Sequence, residues 1–160
     1  NMRKELLALP DEARVWIYQS NREIDDHTTQ IIRDALISFS DKWTSHGTEV
    51  PCYTNIFHNR FLVFIADESQ HVSGCAIDSS VHFIQNMGKE LGLDFFDRLT
   101  YLYFEGDEIK SMEHKDFKSA LTEGKISRDT LVFNNLVKTK KEFVESWVSP
   151  IAKSWHSRFL

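Results

Sequence analysis

Two apolar runs, residues 51–57 and 61–66, are separated by only three residues, His58-Asn59-Arg60. A connection that short cannot carry the chain back to the same end of a sheet, so the two runs read as an antiparallel hairpin. Around the hairpin the apolar pattern switches between strand and helix periods. Residues 14–20, with Val15, Trp16, Ile17 and Tyr18, predict a strand. Asp25-Asp26 can cap a helix whose apolar stripe, Ile31, Ile32, Ala35, Leu36, Phe39 and Trp43, stops at Gly47. Residues 67–71 predict a turn and residues 72–77 a third antiparallel strand. A second helix is expected to start at Ser79 or Ser80, with Val81, Ile84, Met87, Gly88 and Leu91 facing inward and Gly92 as a left-handed cap. Leu99 to Glu105 predicts a strand closed by Gly106-Asp107. The order implies an α+β fold: an antiparallel sheet with both helices on one face, in a ferredoxin-like arrangement with additions.

The last third reads differently. Residues 116–123 predict a short helix ended by Gly124, and residues 130–133 a short strand. Thr139-x-x-Glu142 has the form of a capping box before Phe143, Val144, Trp147 and Val148. Pro150 interrupts, but apolar spacing continues through Ile151, Ala152 and Trp155, which predicts a kinked or two-piece C-terminal helix docked through Phe143, Trp147, Ile151 and Trp155. In that helix Trp155 faces inward and His156 outward. No repeat or flexible linker stands out, so residues 2–160 read as one domain, with residues 107–115 the best place for a subdivision.

At 160 residues the chain is long enough to bury a core without disulfides or metals. A net charge of −5 argues against tracking a nucleic-acid backbone, which takes clustered Lys and Arg. The one basic run, Lys138, Lys140 and Lys141, is expected to be a solvated helix face. Cys52 and Cys75 fall in different predicted strands and are expected to be thiols, which fits a cytoplasmic setting. The apolar stretch at Leu6 to Leu9 is cut by Pro10, so neither a signal peptide nor a membrane insertion is expected, and Asn1 reads as a residue left before a native Met2.

Three segments carry a resemblance: 59–63 with Asp67-Glu68-Ser69, then 73–81, and Ser154-Trp155-His156-Ser157-Arg158-Phe159 near the end. Together they resemble a small uncharacterised bacterial family of nearly this length, sometimes labelled an ABC transporter ATPase. The resemblance implies no established activity and no catalytic residues. The label's own chemistry requires a GxxxxGK[ST] loop to hold phosphates, and none of the six glycines stands in that pattern. A P-loop ATPase is therefore rejected. A second likeness is Phe117-x-x-Ala120-Leu121-x-x-Gly124-x-Ile126 followed by Thr130-Leu131-Val132-Phe133, which is similar to part of the bacterial GYF-like interaction modules, though without their aromatic signature. It implies a binding role.

Ser73-Gly74-Cys75-Ala76-Ile77-Asp78-Ser79-Ser80 is the first candidate site, since a strand feeding polar groups to a helix N-terminus can bind an anion or stabilise a thiolate. Asp67, Glu68, Ser73, Ser79 and Ser80 are the candidate ligand-binding residues. The structural reading of the same segment is a helix cap by Asp78 or Ser79 and a small core residue at Cys75. A thiol-dependent or hydrolytic enzyme would use Cys75 and Asp78 with a histidine such as His156. Asp67, Glu68, His71 and Asp78 mix oxygen and nitrogen donors, but no metal-binding spacing appears, so no metal and no cofactor are expected. Trp155-His156 and Arg158-Phe159 are a candidate interaction surface, because Trp and Arg dominate binding hot spots. The reading as a whole is a non-catalytic binding or adaptor protein whose partner is a protein or small molecule, or a second copy in a homodimer, with the thiol enzyme as the alternative.

Overall fold

The computed structural model describes residues 6–45, 47–67 and 74–160, and the side chains of residues 44, 45, 48, 74 and 75 lie outside that description. The chain is mixed α and β, with antiparallel sheets and several helices. It separates into two compact units: the chain up to Asp97 with Lys138–Lys141, and Arg98–Val137 with Glu142–Leu160. Residues 107–115 lie inside the second unit.

The first unit contains β1 (Arg14–Gln19), α1 (Asp26–Lys42), the short strands β2 (Thr44–Ser45) and β3 (Thr48–Glu49), then β4 (Cys52–Phe57), β5 (Phe61–Ala66) and α2 (Gly74–Leu91). Its main sheet has the order β1-β5-β4, antiparallel throughout. The hairpin register pairs Phe57 with Phe61 and Cys52 with Ala66. Its loop places His58 at φ 55° and Asn59 at φ 54°, and the Arg60 N–H returns to the Phe57 carbonyl at 3.0 Å. Two successive positive φ values are what a type I′ turn requires to match the twist of the flanking strands. α1 begins as its sequence dictates: the Asp25 carboxylate accepts from the Thr28 N–H at 2.7 Å.

α1 and α2 pack on one face of this sheet. Ile32, Leu36, Ile84 and Met87 meet Leu62, Phe64 and Ile56, with Trp16, Tyr18, Phe39 and Phe83 around them. Phe39 stacks on Phe83 with ring centroids 4.6 Å apart. Trp43 leaves the helix as its C-cap and donates its indole N–H to the Ala76 carbonyl at 2.8 Å, tying the end of α1 to α2. α2 overturns one expectation: residues 74–77 are helical rather than a third strand, and residues 72 and 73 lie outside the described set. A short apolar run fits a helix and a strand equally well, and tertiary packing of Ala76 decides for the helix.

Residues 138–141 return to the first unit as a strap. Val15 N–H donates to the Lys138 carbonyl, Lys140 N–H to Ala13, and Lys141 N–H to Asp11, with an antiparallel bridge between Arg14 and Thr139. The solvated basic face is thereby corrected at its centre, because Lys140 is buried and its Nζ donates to the Leu9 carbonyl at 2.6 Å. Burial of an ammonium is tolerated when the group is hydrogen-bonded.

The second unit contains β6 (Thr100–Glu105), β7 (Glu108–Glu113), α3 (Phe117–Thr122), β8 (Leu131–Phe133), most of α4 (Lys140–Ser146) and β9 (Val148–Pro150). Its antiparallel sheet runs β7-β6-β8-β9. Gly106, at φ +62°, opens the two-residue turn of the β6–β7 hairpin. One face carries Phe117, Ala120, Ile126, Val132 and Ile151. On the other, Phe133 packs against Phe104 and Trp147, and Trp147 stacks on Phe143 at 4.9 Å.

The predicted kinked C-terminal helix is a second correction. α4 stops at Ser146, Val148–Pro150 pairs with β8, and two 3₁₀ segments follow, Ile151–Lys153 and Trp155–Phe159. Proline at the end of a short edge strand is compatible with the sheet, whereas inside a helix it removes a bond and clashes. Phe143, Trp147 and Ile151 are buried as expected, although not along one helix.

Gly88 supplies a sharp test of packing in α2. A Cβ there would come within 2.5 Å of the Leu93 carbonyl oxygen, which is backbone and cannot swing away. Gly88→Ala should therefore destabilise the chain by about 1–3 kcal/mol despite its higher helix propensity, as read by urea unfolding.

Candidate functional site

Of the residues singled out around position 75, those from 74 to 80 form the first turns of α2 rather than the end of a strand. Asp78 and Ser79 are exposed and Ser80 is buried. Neither Asp78 nor Ser79 caps the helix, because α2 already includes Gly74. The Ser79 hydroxyl donates to the Ala76 carbonyl at 2.8 Å and Ser80 to Ile77 at 2.6 Å, the back-bonding typical of serines inside a helix. Ser80 also hydrogen-bonds the Tyr18 phenol, whose pKa is raised by burial in spite of that bond. Asp67, just beyond β5, donates its backbone N–H to the Pro51 carbonyl at 3.1 Å. Glu68, His71 and Ser73, and the Cys75 side chain, lie outside the described residues.

Close to the start of β4 is a cavity of about 370 Å³ lined by Ser40, Asp41, Glu49, Val50 and Cys52. The Cys52 thiol donates to the Ser40 carbonyl at 3.8 Å. Among the described residues no group of three or more His, Cys, Asp and Glu side chains is placed to hold a metal ion.

In the second unit the C-terminal 3₁₀ turn reverses the expected facing of Trp155 and His156. His156 is 2% exposed. Its ring stacks on Trp155 at 4.0 Å, meets Tyr101 edge-on at 5.1 Å and lies 5.4 Å from Phe117. Nδ1 is 2.6 Å from the Ser154 hydroxyl, which also accepts the His156 backbone N–H. Burial pushes the imidazole pKa down to about 4, so the ring is neutral at physiological pH.

Trp155 is half-buried and forms a ring cluster with Tyr101 and Phe159, which are partly buried against the core of this unit. Tyr101 and Trp155 are perpendicular at 5.3 Å, Tyr101 and Phe159 are 6.2 Å apart, and Trp155 and Phe159 6.0 Å. The exposed Arg158 guanidinium lies 5.9 Å from the Trp155 ring and 5.8 Å from Phe159. Its charge also acts on the Tyr101 phenol, whose pKa burial raises and Arg158 draws back. The Trp155 indole N–H, the Tyr101 hydroxyl and the Arg158 guanidinium make no hydrogen bond or ion pair among the described residues. A donor-rich aromatic face whose polar ends stay open is a surface that can accept a partner. Trp155 and Arg158 belong to the candidate interaction surface named from the sequence. Tyr101 does not, and its only signal is the spacing Tyr101-x-Tyr103, which puts both rings on one face of β6.

No family model, no curated protein and no solved structure matches this chain. Among the described residues, no helix is long and apolar enough to cross a membrane.

The buried imidazole sets a pH dependence. Its pKa falls from 6.5 when unfolded to about 4 when folded, so its contribution is complete above pH 6.5 and is lost as pH falls towards 4. The wild-type chain should lose up to roughly 3 kcal/mol through this group across that window, and His156→Phe should remove that part of the slope in urea unfolding at successive pH values.

Proposed function

We propose that this chain is a non-catalytic binding or adaptor protein whose docking surface is the aromatic face of Tyr101, Trp155 and Phe159 with Arg158. The observation that carries the reading is the set of three open polar ends over one cluster of rings. Large half-buried aromatics that keep unpaired donors beside an exposed Arg are the composition of a binding hot spot. Asp78, exposed on α2, lends the hydrolytic alternative no support. Bacterial origin in the uncharacterised family resembled by residues 59–63, 67–69, 73–81 and 154–159, and a cytoplasmic setting, remain parts of the same proposal. A ferredoxin-like arrangement of the first unit draws support from its strand–helix–strand–strand–helix succession and its β1-β5-β4 order, with Gln19 and Phe96 forming a parallel bridge beside β1.

The test uses Tyr101→Phe, which keeps the ring and removes only its hydroxyl, and Trp155→Phe, which removes the indole N–H together with part of the ring stacked on His156. Tyr101→Phe should leave the melting temperature within about 2 °C, since its hydroxyl has no partner to lose. Peptides selected from a random displayed library on the full chain should shift the Trp155 indole resonance in NMR spectra and bind both variants more weakly. Selected peptides that bind the variants undiminished, or a library that yields none, would overturn the proposal.

A further inference from the structure

The donors on this face are of one kind, and they define what must meet them. An indole N–H donates only, and a guanidinium offers N–H groups in a planar fork that matches a carboxylate. Because the Arg158 guanidinium lies near two rings and has no acidic partner among the described residues, its N–H edge remains available. Lys115, the neighbouring cation in sequence to His114 beside Tyr101, is already paired with Glu113 at 3.1 Å. One open guanidinium flanked by flat rings suits a single carboxylate next to an apolar side chain. Nucleic acid would call for several cations spaced along its phosphates.

We infer that the face formed by Tyr101, Trp155, Phe159 and Arg158 binds an acidic peptide segment of a partner protein, a Glu or Asp carboxylate on Arg158 and the Tyr101 hydroxyl with an adjacent aromatic side chain against Trp155. This rests on the docking surface proposed above and adds the chemistry of its partner. The carboxylate completes the guanidinium's hydrogen bonds, and the Trp155 N–H takes a peptide carbonyl.

The experiment titrates the full chain with three defined probes: a capped peptide Glu-Phe-Glu-Glu-Phe-Glu, its counterpart with every Glu replaced by Gln, and oligouridylate. Binding is read from the Trp155 indole N–H resonance, assigned through Trp155→Phe. The acidic peptide should bind about tenfold more tightly than the neutral one, and Arg158→Gln should remove about tenfold of that affinity. The advantage should shrink as salt is raised, because the pair is exposed. Equal binding of the two peptides would overturn the acidic partner while leaving the docking surface intact. Tighter binding of oligouridylate would overturn it in favour of nucleic acid. Absence of any shift at Trp155 with the acidic peptide would also overturn it, and the library selection then decides separately whether the face binds peptides at all.

Discussion

The first unit is organised by β5, whose six side chains, Phe61 to Ala66, are all buried. An antiparallel strand ordinarily leaves one face to water, and its sequence then alternates. β5 has no polar residue to present, so neither face can be solvated and both of its edges must be paired. β1 takes one edge and β4 the other, each in full six-residue register. The helices follow from this, since α1 and α2 cover the face of Leu62, Phe64 and Ala66. A polar residue at Phe64 would expose an unpaired group to Trp43, Phe39 and Tyr18 at once.

The strap at 138–141 adds a long-range condition. Its backbone bonds reach residues 11 to 15, far away in sequence, so their closure entropy is recovered only after the intervening chain has formed. Lys140 is part of that closure. Its four-carbon stem is buried while its ammonium meets the Leu9 carbonyl, which is a hydrogen-bonded end to an otherwise apolar path. A sequence reading sees three lysines near a helix start and assigns them to water, because nothing local shows that the backbone there pairs with residues near the N-terminus.

What was legible follows the same division. The β4–β5 hairpin, the Asp25 cap and the positive-φ glycines at Gly92, Gly106 and Gly124 are local, and their sequence signals are intrinsic to a few residues. Residues 74–77 were misread because four residues cannot establish a period. β7 was missed because its apolar positions, Ile109 and Met112, are three apart in a charged edge strand, which shows neither alternation nor a helical stripe. At the C-terminus the chain changes from helix to strand to 3₁₀ within a few residues, so extending one helical wheel through Pro150 put Trp155 and His156 on each other's sides. The candidate face is half visible for a related reason: Trp155 and Arg158 are neighbours in sequence, whereas Tyr101 joins them only through the fold.

The 3₁₀ geometry is also what produces the face. With three residues per turn, side chains at i and i+3 eclipse, so Trp155 aligns with Arg158 and His156 with Phe159. The first pair is turned outward and gives the guanidinium over the indole. The second is turned inward or half inward, against Phe117 and Tyr101. Ser154 fixes where this turn begins, since its hydroxyl both accepts the His156 N–H and contacts Nδ1. An α-helical turn would move residue 158 about 60° away from residue 155 around the axis and separate the cation from its ring. The buried polar contacts of Ser154 and His156 therefore hold the register of the exposed ones. One short turn thus joins a buried histidine held by Ser154 to a half-buried tryptophan whose indole N–H is open, and disturbing the first displaces the second.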